Sequence, residues 1–422
     1  MFKNIKTIFS KNKFGNSLLL FLAVFGPATI TAMSDNDAAG VATYSLAGAK
    51  FGYSILFVLL FVTILLAITQ EMGVRIAVTT GKGLGDLIRE LFGVRVSVFI
   101  FFGLTLANLG TIIANLSAIK VTTQMFGLPS LPFIILIIIM SFIFVTKGNY
   151  KTNQNVFLMT SLFYVAYIIS AVKTHPDWNL ALRSTILPTS IHLSRDFVFA
   201  AIAVLGTTIT PWGQFFVHSY VIDKKITGEK HLKYAQIETF VGAFLTDFFS
   251  FFMITATAAT LFVHKIPLLS GEQAALAIKP FAGELASILF GLGILNAGFM
   301  GMVIVGLTTA YAFSEFFGYE GSLDKPFQKS RQFYLLFLLQ LSIAGVIVLM
   351  PSISLFKIVF FTQSLNGMLL PVIFYFLLKV TNNKKLMGKH TNNKWYNYFA
   401  IICSFIIIIA ALFTIISSLF KF

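Results

Sequence analysis

ATITAMSDNDAAGVATYS, residues 28–45, sets two carboxylates, Asp35 and Asp37, inside an otherwise apolar run. An ionised Asp at the centre of a bilayer costs about 2.5–3.5 kcal/mol, so such a group marks a functional position. Asn36 between them and Gly40 after them disfavour an uninterrupted helix. Backbone that leaves the helix at membrane depth is tolerated only where protein or a water-filled cavity satisfies its N–H and C=O groups. The stretch therefore reads as a broken helix around a cavity, with acidic side chains at the break.

A second interruption lies in TTITPWGQ, residues 207–214. Pro211 removes a helical N–H and disfavours helix at Thr210, freeing carbonyls beside hydroxyls. Two breaks five spans apart match the inverted-repeat transporters, where the first helices of both halves unwind near the midplane.

The rest of the chain fits that reading. Of 422 residues, 57% are hydrophobic and only 11% charged, too apolar for a water-soluble domain. At about 20 residues per span there is material for about twelve crossings. Apolar runs are expected near 17–48, 54–78, 96–122, 131–147, 155–173, 196–222, 237–264, 273–315, 331–350, 354–380 and 395–420. The expected fold is an all-α polytopic membrane protein of 11 transmembrane helices forming one transporter domain over 1–422. Repeat one covers about 17–173, repeat two about 196–380, and an extra helix about 395–420.

The formal net charge is +15. With the N-terminus inside, 22 of the 31 Lys and Arg fall on the inner side, the bias that sets topology. The expectation is a multi-pass cell (plasma) membrane protein, N-terminus cytoplasmic and C-terminus outside. The surplus charge gives no reason to invoke nucleic acid, and no feature points to a protein partner. Cys403 is the single cysteine, which excludes a thiolate metal site or disulfide within the chain. Neither a cofactor site nor a Ser-His-Asp set appears, so an enzyme is not expected.

Asp37 and Asp35 are candidate cation ligands through hard oxygens, the plainer alternative being that one of them caps the following half-helix. Thr210 and Thr207 flank the second break, whereas Thr208 can simply bond back to the i−4 carbonyl. Asp247, among aromatics in LTDFFSFF, is a candidate on the ion path. Glu71 and Arg75 read as an intrahelical ion pair, Glu315 as a solvated helix end, and His218 as a packing group.

These residues resemble the NRAMP family of divalent-metal transporters. The resemblance is carried by GPATITAMSDNDAAGVATYSLAGAKFGYSILFVLL (26–60), QEMGVRIAVTTGKGLGDLIRE (70–90), HPDW (175–178), GTTITPWGQFFVHSYV (206–221) and NNKKLMGKHTNNKW (382–395). It implies a LeuT-like fold. The family's DPGN metal motif falls on Asp37-Ala38-Ala39-Gly40, keeping the Asp and losing the Asn. The sixth-helix motif falls on Thr207, Thr210, Pro211 and Trp212, with Met replaced by Thr and His by Trp. Where the third span of the family carries Asp and Glu, this chain has Gly110-Thr111-Ile112-Ile113-Ala114-Asn115.

Losing a thioether for hydroxyl oxygen suits a hard ion such as magnesium, and losing the acids and His removes the family's proton route. The combination resembles the NRAMP-related magnesium transporter branch. It implies import of Mg2+, and of Mn2+ also, by alternating access and without proton coupling, with Gln363 and Asn366 holding the ion's waters. The alternative is a proton-coupled Mn2+/Fe2+ importer of the ordinary type. A sodium-coupled amino-acid symporter is disfavoured because the breaks carry acids and no group to pair a carboxylate. An intramembrane aspartyl protease lacks its YD and GxGD contexts.

Overall fold

The computed structural model describes residues 13–189, 194–268, 274–350 and 355–420. Apart from turns and short connections these are helical, with no strand among them. The first half of the chain holds α1 (Lys13–Val24), α2 (Pro27–Ser34), α3 (Ala38–Phe51), α4 (Leu56–Thr80), α5 (Leu84–Met125), α6 (Ser130–Lys147), α7 (Tyr150–Ser161) and α8 (Val165–Lys173). A short α9 (Trp178–Ile186) follows. The second half holds α10 (Arg195–Thr208), α11 (Pro211–Asp223), α12 (Glu229–Thr257), α13 (Lys279–Phe317), α14 (Arg331–Leu349), α15 (Leu355–Thr381) and α16 (Lys394–Phe420).

The expected first span, 17–48, is interrupted twice. Gly26, at φ 139°, separates α1 from α2 before the break at 35–37 is reached. Only Gly holds that backbone without strain, and Pro27 then starts the new helix at its first position. The half-helix α2 is thus eight residues, about 12 Å. The loop expected between spans 2 and 3 is largely helix, because α5 starts at Leu84 and bends at Gly93 (φ 82°, ψ 173°). Five spans later α13 bends in the same way at Gly283 (φ 86°, ψ 172°).

Eight described helices are long and apolar enough to cross a membrane, or nine if the bent pair Leu365–Thr381 and Lys384–His390 is one span. The eleven expected from apolar runs are not all recovered by that measure. Two things account for this: α2 is too short to count and Ala38–Thr80 runs on as one 43-residue helical stretch through a 3-10 turn at Gly52–Ile55, while side chains in the first part of α15 and the last part of α16 lie outside the described residues.

At the centre, α5 lies along α13, and α12 packs on α2, α3 and α4. Side chains could not fit at two points of the α5–α13 contact. A Cβ on Gly298 would meet the Asn115 carbonyl at 3.0 Å, and one on Gly301 would meet the Asn115 side chain at 2.5 Å. The glycines of the eighth expected span therefore make room for Asn115.

Candidate metal site

The two interruptions meet. Thr208 ends α10, Ile209 and Thr210 are extended, and Pro211 opens α11. Pro211 has no N–H to give the carbonyl four residues back, on Thr207. Thr210 caps α11 by accepting from the Gly213 N–H at 3.1 Å and donates its hydroxyl proton to Asp35 Oδ1 at 3.2 Å. Gln70 of α4 donates to the other Asp35 oxygen at 3.3 Å. Gly40 permits the fold of this loop: a Cβ there would stand 2.6 Å from the Asp35 carbonyl oxygen and 3.6 Å from Thr207 Oγ1.

Asp37 fulfils its capping alternative, accepting from the Gly40 N–H at 2.9 Å through Oδ1. Its Oδ2 accepts from Asn115 Nδ2 at 2.9 Å, while Asn115 Oδ1 takes the Ala38 N–H at 3.0 Å. One amide thus holds both the carboxylate and the first turn of α3. Asn36 is a structural clamp: it donates to the Thr246 carbonyl at 2.8 Å and accepts from Ser250, also 2.8 Å, while its own carbonyl takes the Tyr164 hydroxyl at 3.1 Å.

Asp35, Asp37 and Asp247 are all buried, and the charges of Asp37 and Asp247 act on Asp35. No Lys, Arg or His among the described residues forms an ion pair with any of the three. Buried charge without a partner is strongly unfavourable, so these carboxylates favour a cation. Among the described residues no three His, Cys, Asp or Glu side chains are placed to share a metal. A cation here would have to complete its shell with hydroxyl, amide, carbonyl or water oxygen.

The remaining expected residues divide. Asn366 on α15 is buried, its amide 3.5 Å from Thr111 Oγ1, one turn of α5 from Asn115, and its Oδ1 has no partner. The side chain of Gln363 lies outside the described residues. Thr208 donates to the Val204 carbonyl at 2.8 Å, the i−4 bond expected of it. Asp247 touches neither Asp35 nor Asp37 through a hydrogen bond.

Glu71 and Arg75 form the expected pair at 2.9 Å. They are also tied across the fold, because Glu71 accepts from Gln236 and Tyr396, and Arg75 donates to the His390 carbonyl and Asn392. Glu315 departs from the solvated end expected for it. It is half-buried and accepts from the Gly85 N–H and the Ser219 hydroxyl. His218, fully buried, bonds the Gln214 carbonyl through Nδ1.

Sequence reasoning missed Glu238. This buried carboxylate of α12 accepts from the N–H groups of Gly26 (2.9 Å) and Thr29 (2.8 Å), capping α2 from another helix. Gln154 (3.0 Å) and Lys224 donate to the neighbouring Phe25 carbonyl. No local pattern announces such a cap, since its partners lie more than 200 residues away.

The chain matches the family described as Natural resistance-associated macrophage protein-like over residues 28–417. It is 23% identical to the divalent metal cation transporter MntH of Caldanaerobacter subterraneus, over 94% of each chain. It is 27% identical to that of Yersinia enterocolitica, over 88% of this chain and 90% of the relative. Among solved structures, a manganese transporter from Eremococcus coleocola shares the fold at a TM-score of 0.79, with 16% identity, over 94% of this chain and 86% of that one. The nucleobase-cation-symport-1 family transporter MHP1 shares it at 0.58, with 14% identity, over 92% and 90%.

Proposed function

The chain belongs to the Nramp family, and from that membership we propose that it imports divalent metal cations, Mg2+ foremost and Mn2+ also, without coupling to protons. The observation that carries this is the meeting of the two breaks at Asp35 and Thr210, 3.2 Å apart, beside Asp37, with no basic side chain among the described residues paired to either acid. Two carboxylates balance a divalent charge. The remaining ligands on offer are the Thr207 carbonyl and the hydroxyls of Thr207 and Thr210, with Asn366 and Gln363 toward the ion's waters. All are oxygen, the donor that suits a small hard ion which keeps part of its hydration.

Uncoupled import is supported by what lines the third span. Asn115 stands where the family carries an acid and gives Asp37 an amide, which does not titrate. Thr111 bonds back to the Ala107 carbonyl. A divalent ion moving inward at about −100 mV gains about 4.6 kcal/mol, twice the value for one charge, which accumulates it about a thousandfold without a second ion.

Transport follows an alternating-access cycle in eleven crossings of the plasma membrane, with the N-terminus inside and the C-terminus outside. The matched bends at Gly93 and Gly283 support two five-helix repeats, spans 1–5 and 6–10, plus one extra helix. Calorimetric titration of Mg2+, Mn2+ and Ca2+ against the wild type and Asp37→Ala tests the site, and unchanged Mg2+ binding in the variant would sink it. A pH-sensitive dye inside proteoliposomes tests the coupling. Acidification accompanying Mn2+ entry would establish instead the proton-coupled Mn2+/Fe2+ importer.

A further inference from the structure

The end of the bundle that the proposed topology puts in the cytoplasm carries its basic residues in two states. Around the start of α5 and the α13–α14 connection four are paired with acids: Lys82 with Glu90 at 2.7 Å, Arg89 with Asp86 at 3.5 Å, Lys225 with Asp324 at 3.2 Å and Lys325 with Glu320 at 3.5 Å. Around the foot of α12 and the α15–α16 connection the balance is different. Lys230, Lys233, Lys379, Lys384, Lys385 and Lys394 are exposed, and none of them forms an ion pair among the described residues. Residues 228–237 and 379–400 hold a single exposed acid, Glu229, and Lys389 already pairs with it. An excess of Lys and Arg orients a membrane protein wherever in its loops it falls. Orientation therefore gives no reason for acids to neutralise one side of this end and to be absent from the other.

The two unpaired stretches form one surface. Besides the Lys389–Glu229 pair, α12 and α16 reach the same carboxylate of α4, Gln236 donating to one oxygen of Glu71 at 2.6 Å and Tyr396 to the other. Arg75, one turn further along α4, donates to the His390 carbonyl and to Asn392, each at 2.6 Å. The chain bends by 61° between Leu365–Thr381 and Lys384–His390, so the short helix Lys384–Met387 leaves the direction of the span. Met387 is buried beneath it while Lys384 and Lys385 stay exposed.

Both helices continue from these lysines as exposed apolar faces. Trp395, the second residue of α16, is 84% exposed, and Tyr398, Phe399 and Ile402 follow it. On α12 the exposed Ile237, Phe240 and Phe244 follow Lys233. Cationic heads at the foot of an apolar face, with a Trp at the boundary, match the order of headgroup and acyl chain in a phospholipid. A soluble acidic partner would answer the lysines and leave the apolar faces unexplained. A zwitterionic headgroup brings its own cation and would leave the six lysines uncompensated.

We propose that this face is a binding surface for a net-anionic glycerophospholipid, its phosphate held between Lys384, Lys385 and Lys394 on one side and Lys230 and Lys233 on the other. Each lysine near an anionic lipid surface is worth about fivefold in affinity. Occupancy of the surface is independent of which ion the protein carries.

The test follows thermal unfolding of the full-length protein in detergent micelles at low salt, with phosphatidylglycerol or phosphatidylcholine added at equal mole fraction. Phosphatidylglycerol should raise the wild-type melting temperature by about 2 °C or more above phosphatidylcholine, and about 0.5 M NaCl should remove most of that difference. The combined variant Lys384→Gln, Lys385→Gln, Lys394→Gln should at least halve the difference. Should it fail to fold, Lys230→Gln with Lys233→Gln should lower the difference by about a third or more. Lys147→Gln, Lys151→Gln and Lys329→Gln together, at three other exposed lysines without an ion pair on the same end, should leave it unchanged. Equal effects of the two lipids overturn the proposal, as does a difference that survives in the folded variants of the patch. An equal loss in the control variant overturns it too, because overall charge would then be the cause. A rise of the same size with soluble poly-glutamate would mark a surface for acidic peptide and overturn the lipid assignment.

Discussion

The two helix breaks face each other and are built on opposite principles. At 35–37 the side chains carry the charge, and distant neighbours hold most of the rest: Asn115 holds Asp37 and Ala38, Thr246, Ser250 and Tyr164 hold Asn36, and Glu238 caps the far end of α2, at Gly26, the half-helix that leads into the break. At 209–210 the side chains are neutral and the break organises itself, with Pro211 freeing a carbonyl and Thr210 capping its own helix. Half-helix termini leave N–H and C=O groups that must be answered. The charged break answers them from a distance, so its shape depends on the whole bundle. The neutral break answers them within four residues and can offer its free oxygens to whatever the first break attracts.

If charge resides in the first break, Asp37→Ala should weaken divalent binding by at least a hundredfold, measured by calorimetry. The substitution removes a carboxylate and also the cap on α3. Asp35→Asn keeps the shape and drops the charge, so about a tenfold loss is expected, equivalent to about 1.4 kcal/mol.

Next comes the dependence of α2, the half-helix that leads into the first break, on its distant cap. Glu238→Ala leaves the N–H groups of Gly26 and Thr29 buried without an acceptor, at about 1–3 kcal/mol each. Thermal or denaturant unfolding should show a loss of about 2–6 kcal/mol for the two groups together, and Glu238→Gln should recover part of it. Thr210→Ala at the second break removes a local cap and one hydroxyl donor to Asp35, so its stability cost should stay within about 2 kcal/mol. If the two cost the same, the contrast between the breaks fails.

The finest effect concerns selectivity. Thr210→Met would restore the soft thioether of the family's motif at the neutral break. Competition uptake should then shift toward Mn2+ over Mg2+ by several-fold, while Thr210→Ser leaves the ratio unchanged.

Much of this was legible in the residues. Carboxylates in an apolar run, and Pro after a Thr-rich turn, mark both breaks without any knowledge of neighbours, because burying charge or unpaired backbone in a bilayer is costly wherever it happens. The second interruption at Gly26 escaped notice, since a lone Gly in an apolar run reads as helix until its φ is known. The partners of the acids escaped for another reason. Gln70, Asn115 and Glu238 are ordinary polar residues on long helices, and only the packing of α4, α5 and α12 around α2 and the first break decides that Gln70 and Asn115 reach the acids and Glu238 the start of α2.

The sequence by itself determined the membrane class, the family, the places where the helix must break and the oxygen character of the donors. Each follows from local composition and from the cost of polar groups in lipid. Tertiary structure decided which donors converge: it joined Thr210 to Asp35 across 175 residues and Asn115 to Asp37 across 78. It also left the buried Asp247 with neither carboxylate oxygen hydrogen-bonded among the described residues. Convergence depends on the close approach that small residues such as Gly301 and Gly40 allow between helices, and that is set by the three-dimensional path of the chain.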